Sequence, residues 1–276
     1  MIITMKKTIA LLLTLVTAML PAAVFLSACS NADPARGNTA SPENTVPPAV
    51  TPDPADTAVL SGKTALFCGD SICMASTYDT EHQWWGWAGR ISRDYGLASY
   101  TNAGVDGASV STCRGDNTVL NQLRANRNTP YDMVVLHGGV NDAWDSAPVG
   151  KMVDRPASET TYKDLDQKTF AGGLELLFIR AKDFFPEATL MYVINFKLNS
   201  HTGSMWDMTE YWAEAKKICA KYDIPFLDLY DNDEFQKVFK SYEPDNLADG
   251  IHPNSSGYDV LSGFIASFMA KVCAEN

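Results

Sequence analysis

The stretch Thr64-Ala-Leu-Phe-Cys-Gly-Asp-Ser-Ile72 sets a short, mostly apolar run directly against a polar Gly-Asp-Ser turn. Five residues of that kind, ended by turn formers, are the signature of a buried strand rather than a helix, which needs ten or more residues to show its period. Four further runs share the pattern: Ser99–Ala103, Met133–Leu136, Thr189–Asn195 and Pro225–Leu229. Between them lie segments with helical spacing. Trp84, Trp87, Ala88, Ile91 and Tyr95 fall on one face, and so do Phe170, Leu174, Leu177, Phe178, Ala181 and Phe185, with Pro186 as a stop. A last helix, about Ser255 to Val272, turns Tyr258, Leu261, Phe264, Ile265, Phe268 and Val272 inward. Strands alternating with amphipathic helices predict an α/β fold: a three-layer α/β/α sandwich around a five-stranded parallel sheet.

In such a sheet the ligand crevice lies beyond the carboxyl ends of the strands, so the residues just after each strand are the ones to inspect. The first strand runs into Gly69-Asp70-Ser71-Ile72, the second into Asn102-Ala103-Gly104-Val105-Asp106-Gly107, and the third into Gly138-Gly139-Val140-Asn141-Asp142. Near the C-terminus stands Asp249-Gly250-Ile251-His252-Pro253. A serine hydroxyl is a weak nucleophile at neutral pH; an imidazole must take its proton, and a carboxylate must hold that imidazole in the right tautomer. Ser71, His252 and Asp249 suit these three roles, and the chain order Ser, Asp, His is a known variant of the arrangement.

Taken in order, the GDS start, the N-x-G-x-x-G turn, the G-x-N-D stretch and the D-x-x-H end resemble the SGNH (GDSL-like) hydrolases over roughly residues 63 to 276. The resemblance implies a flavodoxin-like sheet and a carboxylic ester hydrolase with Ser71, Asp249 and His252 as catalytic triad. It also implies an oxyanion hole made by the backbone N–H groups of Ser71 and Gly104 and the side-chain amide of Asn141. Ile72 replaces the leucine of the GDSL tag, one aliphatic side chain for another.

Other residues have plainer readings. Asp70 and Asp142 read as helix caps and turn formers, and His137, inside the third strand, as a core histidine. Cys73 reads as a small buried thiol. Trp85, and Trp144 in the loop after Asn141, are candidate stacking surfaces for a sugar if exposed, and His201 is a candidate substrate contact in the Lys197–Met208 loop. Four scattered histidines, without a thiolate cluster or a P-loop, give no metal site and imply no cofactor.

Residues 1–28 read as a secretory leader, with Lys6 and Lys7 ahead of an apolar run from Ile9 to Leu20. Leu26-Ser27-Ala28-Cys29 resembles a bacterial lipobox, so Cys29 is expected to carry lipid and to anchor an exported, cell-surface lipoprotein to a membrane. Residues 29–61, with prolines at 34, 42, 47, 48, 52 and 54, are expected to be a disordered spacer, and residues 62–276 the catalytic domain. Losing a leader that carries Lys6 and Lys7 takes the net charge from −11 to −13, which disfavours nucleic acid as a partner. Five cysteines besides Cys29 leave at least one without an intramolecular mate, and pairings such as Cys73 with Cys113 or Cys219 with Cys273 stay open. The expected reaction is hydrolysis of a small acyl ester through an acyl-Ser71 intermediate, with an acetylated carbohydrate as substrate. The alternatives are a lipase, lysophospholipase or thioesterase, and a surface lipoprotein that binds without turnover.

Overall fold

A computed structural model describes residues 51–77, 82–198, 206–241 and 245–275. Cys29, the leader and His201 lie outside the described residues. Five parallel strands, β1 (Thr64–Cys68), β2 (Ser99–Asn102), β3 (Met133–His137), β4 (Thr189–Ile194) and β5 (Phe226–Asp228), form one sheet in the order β2-β1-β3-β4-β5. Every strand expected from sequence is present, with no end shifted by more than one residue. β1 and β3 are buried almost throughout, as central strands covered on both faces must be.

Nine helices accompany the strands among the described residues: α1 (Pro54–Leu60), α2 (Ser71–Met74), α3 (Trp87–Tyr95), α4 (Val119–Asn126), α5 (Val140–Trp144), α6 (Phe170–Phe184), α7 (Thr209–Lys221), α8 (Asp233–Val238) and α9 (Ser255–Glu275). α1, α3 and α9 pack on one another as one layer, and α4, α6 and α7 form the other. Strand order reverses at β1, whose two neighbours are β2 and β3. The crevice at such a reversal opens between the loops after β1 and β3, which places Ser71 and Asn141 across from each other.

Two expectations about this scaffold need correction. The segment up to Ser61 is not spacer throughout: Pro54–Leu60 is helical, Asp53 accepts the Ala55 N–H at 2.7 Å, and Leu60 is fully buried. Pro54 sits at the first helical turn, where its missing N–H costs nothing. Burying Leu60 contributes about 1.5–3 kcal/mol, and Asp56 bonds Ser267 of α9. Trp84 is 39 % exposed and precedes α3 instead of sharing its inner face; Trp87, Ala88, Ile91 and Tyr95 are buried as expected.

The long connection from Ala143 to Lys168 is fastened by buried carboxylates. Glu175 of α6, fully buried, accepts the Val153 N–H at 2.8 Å, the Tyr222 hydroxyl at 3.1 Å and the Lys221 ammonium at 2.5 Å. Glu214 of α7 accepts the Met152 N–H at 2.6 Å. Glu175→Ala is therefore expected to destabilise the fold by about 3–5 kcal/mol, because it strands a buried ammonium. Urea unfolding with an unchanged slope reads this directly; a loss under about 1 kcal/mol contradicts the clamp.

Candidate active site

Asp70 caps α2, its Oδ1 accepting the Ile72 N–H at 3.0 Å, so the chain turns sharply out of β1 and presents Ser71 at the first helical position. Tyr258 of α9 donates to the Ile72 carbonyl at 3.2 Å, and Thr77 donates to the Pro253 carbonyl at 2.7 Å. These two bonds tie the serine turn to the segment that carries the histidine. That segment is itself closed by an antiparallel bridge between Leu247 and Pro253 and by the Ala248 N–H donating to the His252 carbonyl at 2.8 Å.

Within this loop Asp249 has its two oxygens divided. Oδ1 accepts the backbone N–H of Ile251 at 3.0 Å and of His252 at 2.7 Å, while Oδ2 lies 2.7 Å from His252 Nδ1. His252 Nε2 lies 2.9 Å from Ser71 Oγ. Partial burial raises the Asp249 carboxyl, yet the donations from His252 and Ile251 outweigh it and hold the group below its ordinary value. An unbroken chain from carboxylate to imidazole to hydroxyl can pull the serine proton onto Nε2 and balance the resulting imidazolium.

The three expected oxyanion donors are not equally placed. Ser71 lies in the first turn of α2, where N–H groups lack intrahelical acceptors, and it lines the cleft. Asn141 also lines the cleft; its Nδ2 spends one proton on the Ala108 carbonyl at 3.0 Å, and an amide carries two. Gly104 departs from expectation: its N–H donates to Asn102 Oδ1 at 3.0 Å, and it is not among the residues lining the cleft. Its missing side chain serves packing instead, since a Cβ there would fall 2.6 Å from Met74 N.

Trp144 is 44 % exposed on the cleft wall, its ring edge-on to Trp206 at 4.9 Å. Trp85 does not line the cleft: it is half-buried, with its ring against Trp84 and His82, because the turn before α3 folds it back on its neighbours. Asp142 is no cap. Fully buried in α5, it accepts the N–H groups of Val110 and Ser111, each at 2.8 Å, and so pins the loop beneath Asn141. Sequence reading missed Arg114 and Asp106, which line the cleft; Arg114 pairs with Asp145 through Nε at 2.6 Å and Nη2 at 2.9 Å. An arginine at the end of a short 3-10 turn carries no local mark of the wall it will face.

The cleft has a volume of about 310 Å³. A larger groove of about 900 Å³ runs between α7, β5 and α9 and shares no residue with it. Chemistry follows the smaller one, since the serine and histidine converge there. Cys68, Cys73, Cys113, Cys219 and Cys273 are all free thiols, which closes the question of pairing among them.

The model of the GDSL-like lipase/acylhydrolase family matches residues 67–260, more than two thirds of the chain, from the end of β1 into α9. Among solved structures, a protein from Lactobacillus plantarum has a TM-score of 0.58 at 22% identity, covering 76% of this chain and 98% of that one. An esterase from a Pseudoalteromonas species has a TM-score of 0.53 at 15% identity, with 76% and 97% covered. A variant of an acetyl-xylooligosaccharide esterase from Geobacillus has a TM-score of 0.52 at 17% identity, with 76% and 95% covered. No curated protein matches the chain by sequence. Such identities speak for the fold, whereas the family match spans every residue of the serine, asparagine and histidine segments, and the chain belongs to the GDSL-like lipase/acylhydrolase family of carboxylic ester hydrolases.

Proposed function

We propose that the protein is a serine esterase that removes a small acyl group, acetyl above all, from a carbohydrate. The observation that carries the serine mechanism is the relay from Asp249 through His252 to Ser71, with contacts of 2.7 and 2.9 Å. As Ser71 Oγ attacks the ester carbon, its proton passes to His252 Nε2 and the carbonyl oxygen becomes an oxyanion. The Ser71 N–H and the second N–H of Asn141 Nδ2 are the donors that receive it, and one such donor is worth about 2.7–4 kcal/mol. Collapse expels the alcohol, which takes the proton from His252. Water then attacks the acyl-serine by the same route and releases the acid.

Two features support the small acyl group and the sugar. A cleft of about 310 Å³ is at the lower end of ligand pockets, which suits a small acyl group better than a long chain. Its wall joins the exposed face of Trp144 to the polar side chains of Asp106 and Arg114, an apolar ring beside hydrogen-bonding groups, as a pyranose requires. A relative in fold is an acetyl-xylooligosaccharide esterase. The leader and the Leu26–Cys29 segment support an exported enzyme held to a membrane by lipid on Cys29.

The test is a rate series over acyl length together with Trp144→Ala. Rates on 4-nitrophenyl esters should fall steadily from acetyl to octanoyl. Trp144→Ala should raise KM for acetylated xylooligosaccharide several-fold while leaving 4-nitrophenyl acetate turnover within about twofold. A preference for octanoyl or longer chains assigns the enzyme to lipid esters instead.

A further inference from the structure

Beneath the serine turn sits a second pairing of carboxylate and imidazole that the relay does not use. His137 closes β3 with 3 % of its surface exposed. Its Nδ1 lies 3.3 Å from Asp70 Oδ1, and its Nε2 lies 3.2 Å from Asn195 Oδ1 at the end of β4. Asp70 is fully buried and Asn195 is 1 % exposed. The Asn195 Nδ2 donates to the Phe196 carbonyl at 3.4 Å, which turns its oxygen toward the ring. Both ring nitrogens therefore face oxygen acceptors.

A neutral imidazole has one N–H and one lone pair. In this setting it would aim that lone pair at an oxygen, leaving two buried acceptors opposed. The doubly protonated ring gives Nε2 a hydrogen for Asn195 Oδ1 and sets a positive charge at ion-pair distance from Asp70. A lone buried carboxylate at Asp70 would likewise be costly, and the cation removes that cost. We infer that His137 is held as an imidazolium at neutral pH, paired with Asp70, and that it is a positioning residue: it keeps ionised the carboxylate that caps the nucleophile helix.

The surrounding groups agree. Burial alone would lower the His137 ring, but Asp70 and Asn195 raise it above its ordinary value. Burial alone would raise Asp70, but His137, the Ile72 N–H and His252 bring it below. Cys68 on β1 and Cys73 on α2 are pushed up by burial and are neutral, as is Tyr192 of β4, whose hydroxyl donates to the Gly138 carbonyl at 2.8 Å. Asp142 on α5 is occupied by the Val110 and Ser111 N–H groups. Linkage runs in two directions. The raised His137 stabilises the fold below about pH 6.5 and loses that contribution as pH rises through its folded value; the lowered Asp70 stabilises above about pH 3.9 and loses its share as pH falls through its folded value.

The positioning role rests on Ser71 being the nucleophile, whereas the charge of the ring is read without substrate, so the two fail separately. Ring nitrogen NMR of the histidine-labelled enzyme at pH 8, where an exposed imidazole is neutral, should find both His137 nitrogens protonated. Asp70→Asn should convert that ring to the neutral form. A ring with one proton in the wild type, or no change in Asp70→Asn, overturns the inference. Kinetically, His137→Gln should lower kcat about tenfold at unchanged KM, and Asp70→Asn combined with His137→Gln, which makes the pair uncharged, should recover most of it. A double variant no better than the single one refutes the coupling through charge. Should the single variant fail to fold, the wild-type spectrum decides alone.

Discussion

Ser71→Ala is expected to lower kcat/KM on 4-nitrophenyl acetate by about 10⁴-fold or more, the scale on which nucleophile removal acts in serine hydrolases. Ser71 is 7 % exposed and its hydroxyl oxygen has His252 Nε2 at 2.9 Å, so deleting one atom removes the attacking group and leaves the packing as it was. The circular dichroism spectrum and melting temperature should therefore stay close to wild type. A fluorophosphonate probe should label the wild type and not the variant. Equal hydrolysis by the two proteins would end the serine mechanism, and a folded wild type that resists the probe would favour a surface module that binds without turnover.

Asp249→Asn is the second large effect, about 10⁴-fold in kcat, and its reason is a matter of which atom faces the ring. Oδ1 is fixed by the N–H groups of Ile251 and His252, at 3.0 and 2.7 Å. An asparagine keeps those two donors by placing its oxygen there, which turns its NH₂ toward His252 Nδ1. That nitrogen must then accept, the proton moves to Nε2, and the ring points a hydrogen at Ser71 where a lone pair is needed. KM should change little, since the cleft wall is intact. A loss under tenfold would mean that backbone contacts alone orient the imidazole. The carboxyl is held below its ordinary value, so its contribution to stability is present above about pH 3.9 and is lost as pH falls through the lower, folded value.

The sheet was legible because each strand is a short apolar run closed by turn residues, and because Ser71 and Asn141 stand immediately after two of them. The triad was legible for the same reason, together with the three-residue spacing of Asp249 and His252. Competition for a donor was not. The Asn102 side chain takes the Gly104 N–H, an i to i+2 contact that depends on the turn geometry and on Met74 lying behind it. Two tryptophans part company: Trp85 is folded by its own turn against Trp84 and His82, whereas Trp144 reaches the cleft wall beside Trp206, a neighbour distant in the chain. α1 was hidden by its proline-rich flank: the worth of Leu60 depends on α3 and α9. His137 is interior as its place in the third strand implies, but its two partners stand just after β1 and β4, out of reach of a local reading.

Ser71 and His252 are 181 residues apart in the chain, and they meet through contacts that α9 and the loop before it supply. A partly made polypeptide that already holds the hydroxyl has no base to activate it until that last segment docks. Turnover is thus a built-in certificate of completed folding: a chain halted or clipped ahead of the histidine loop stays chemically silent, however much of its sheet has formed.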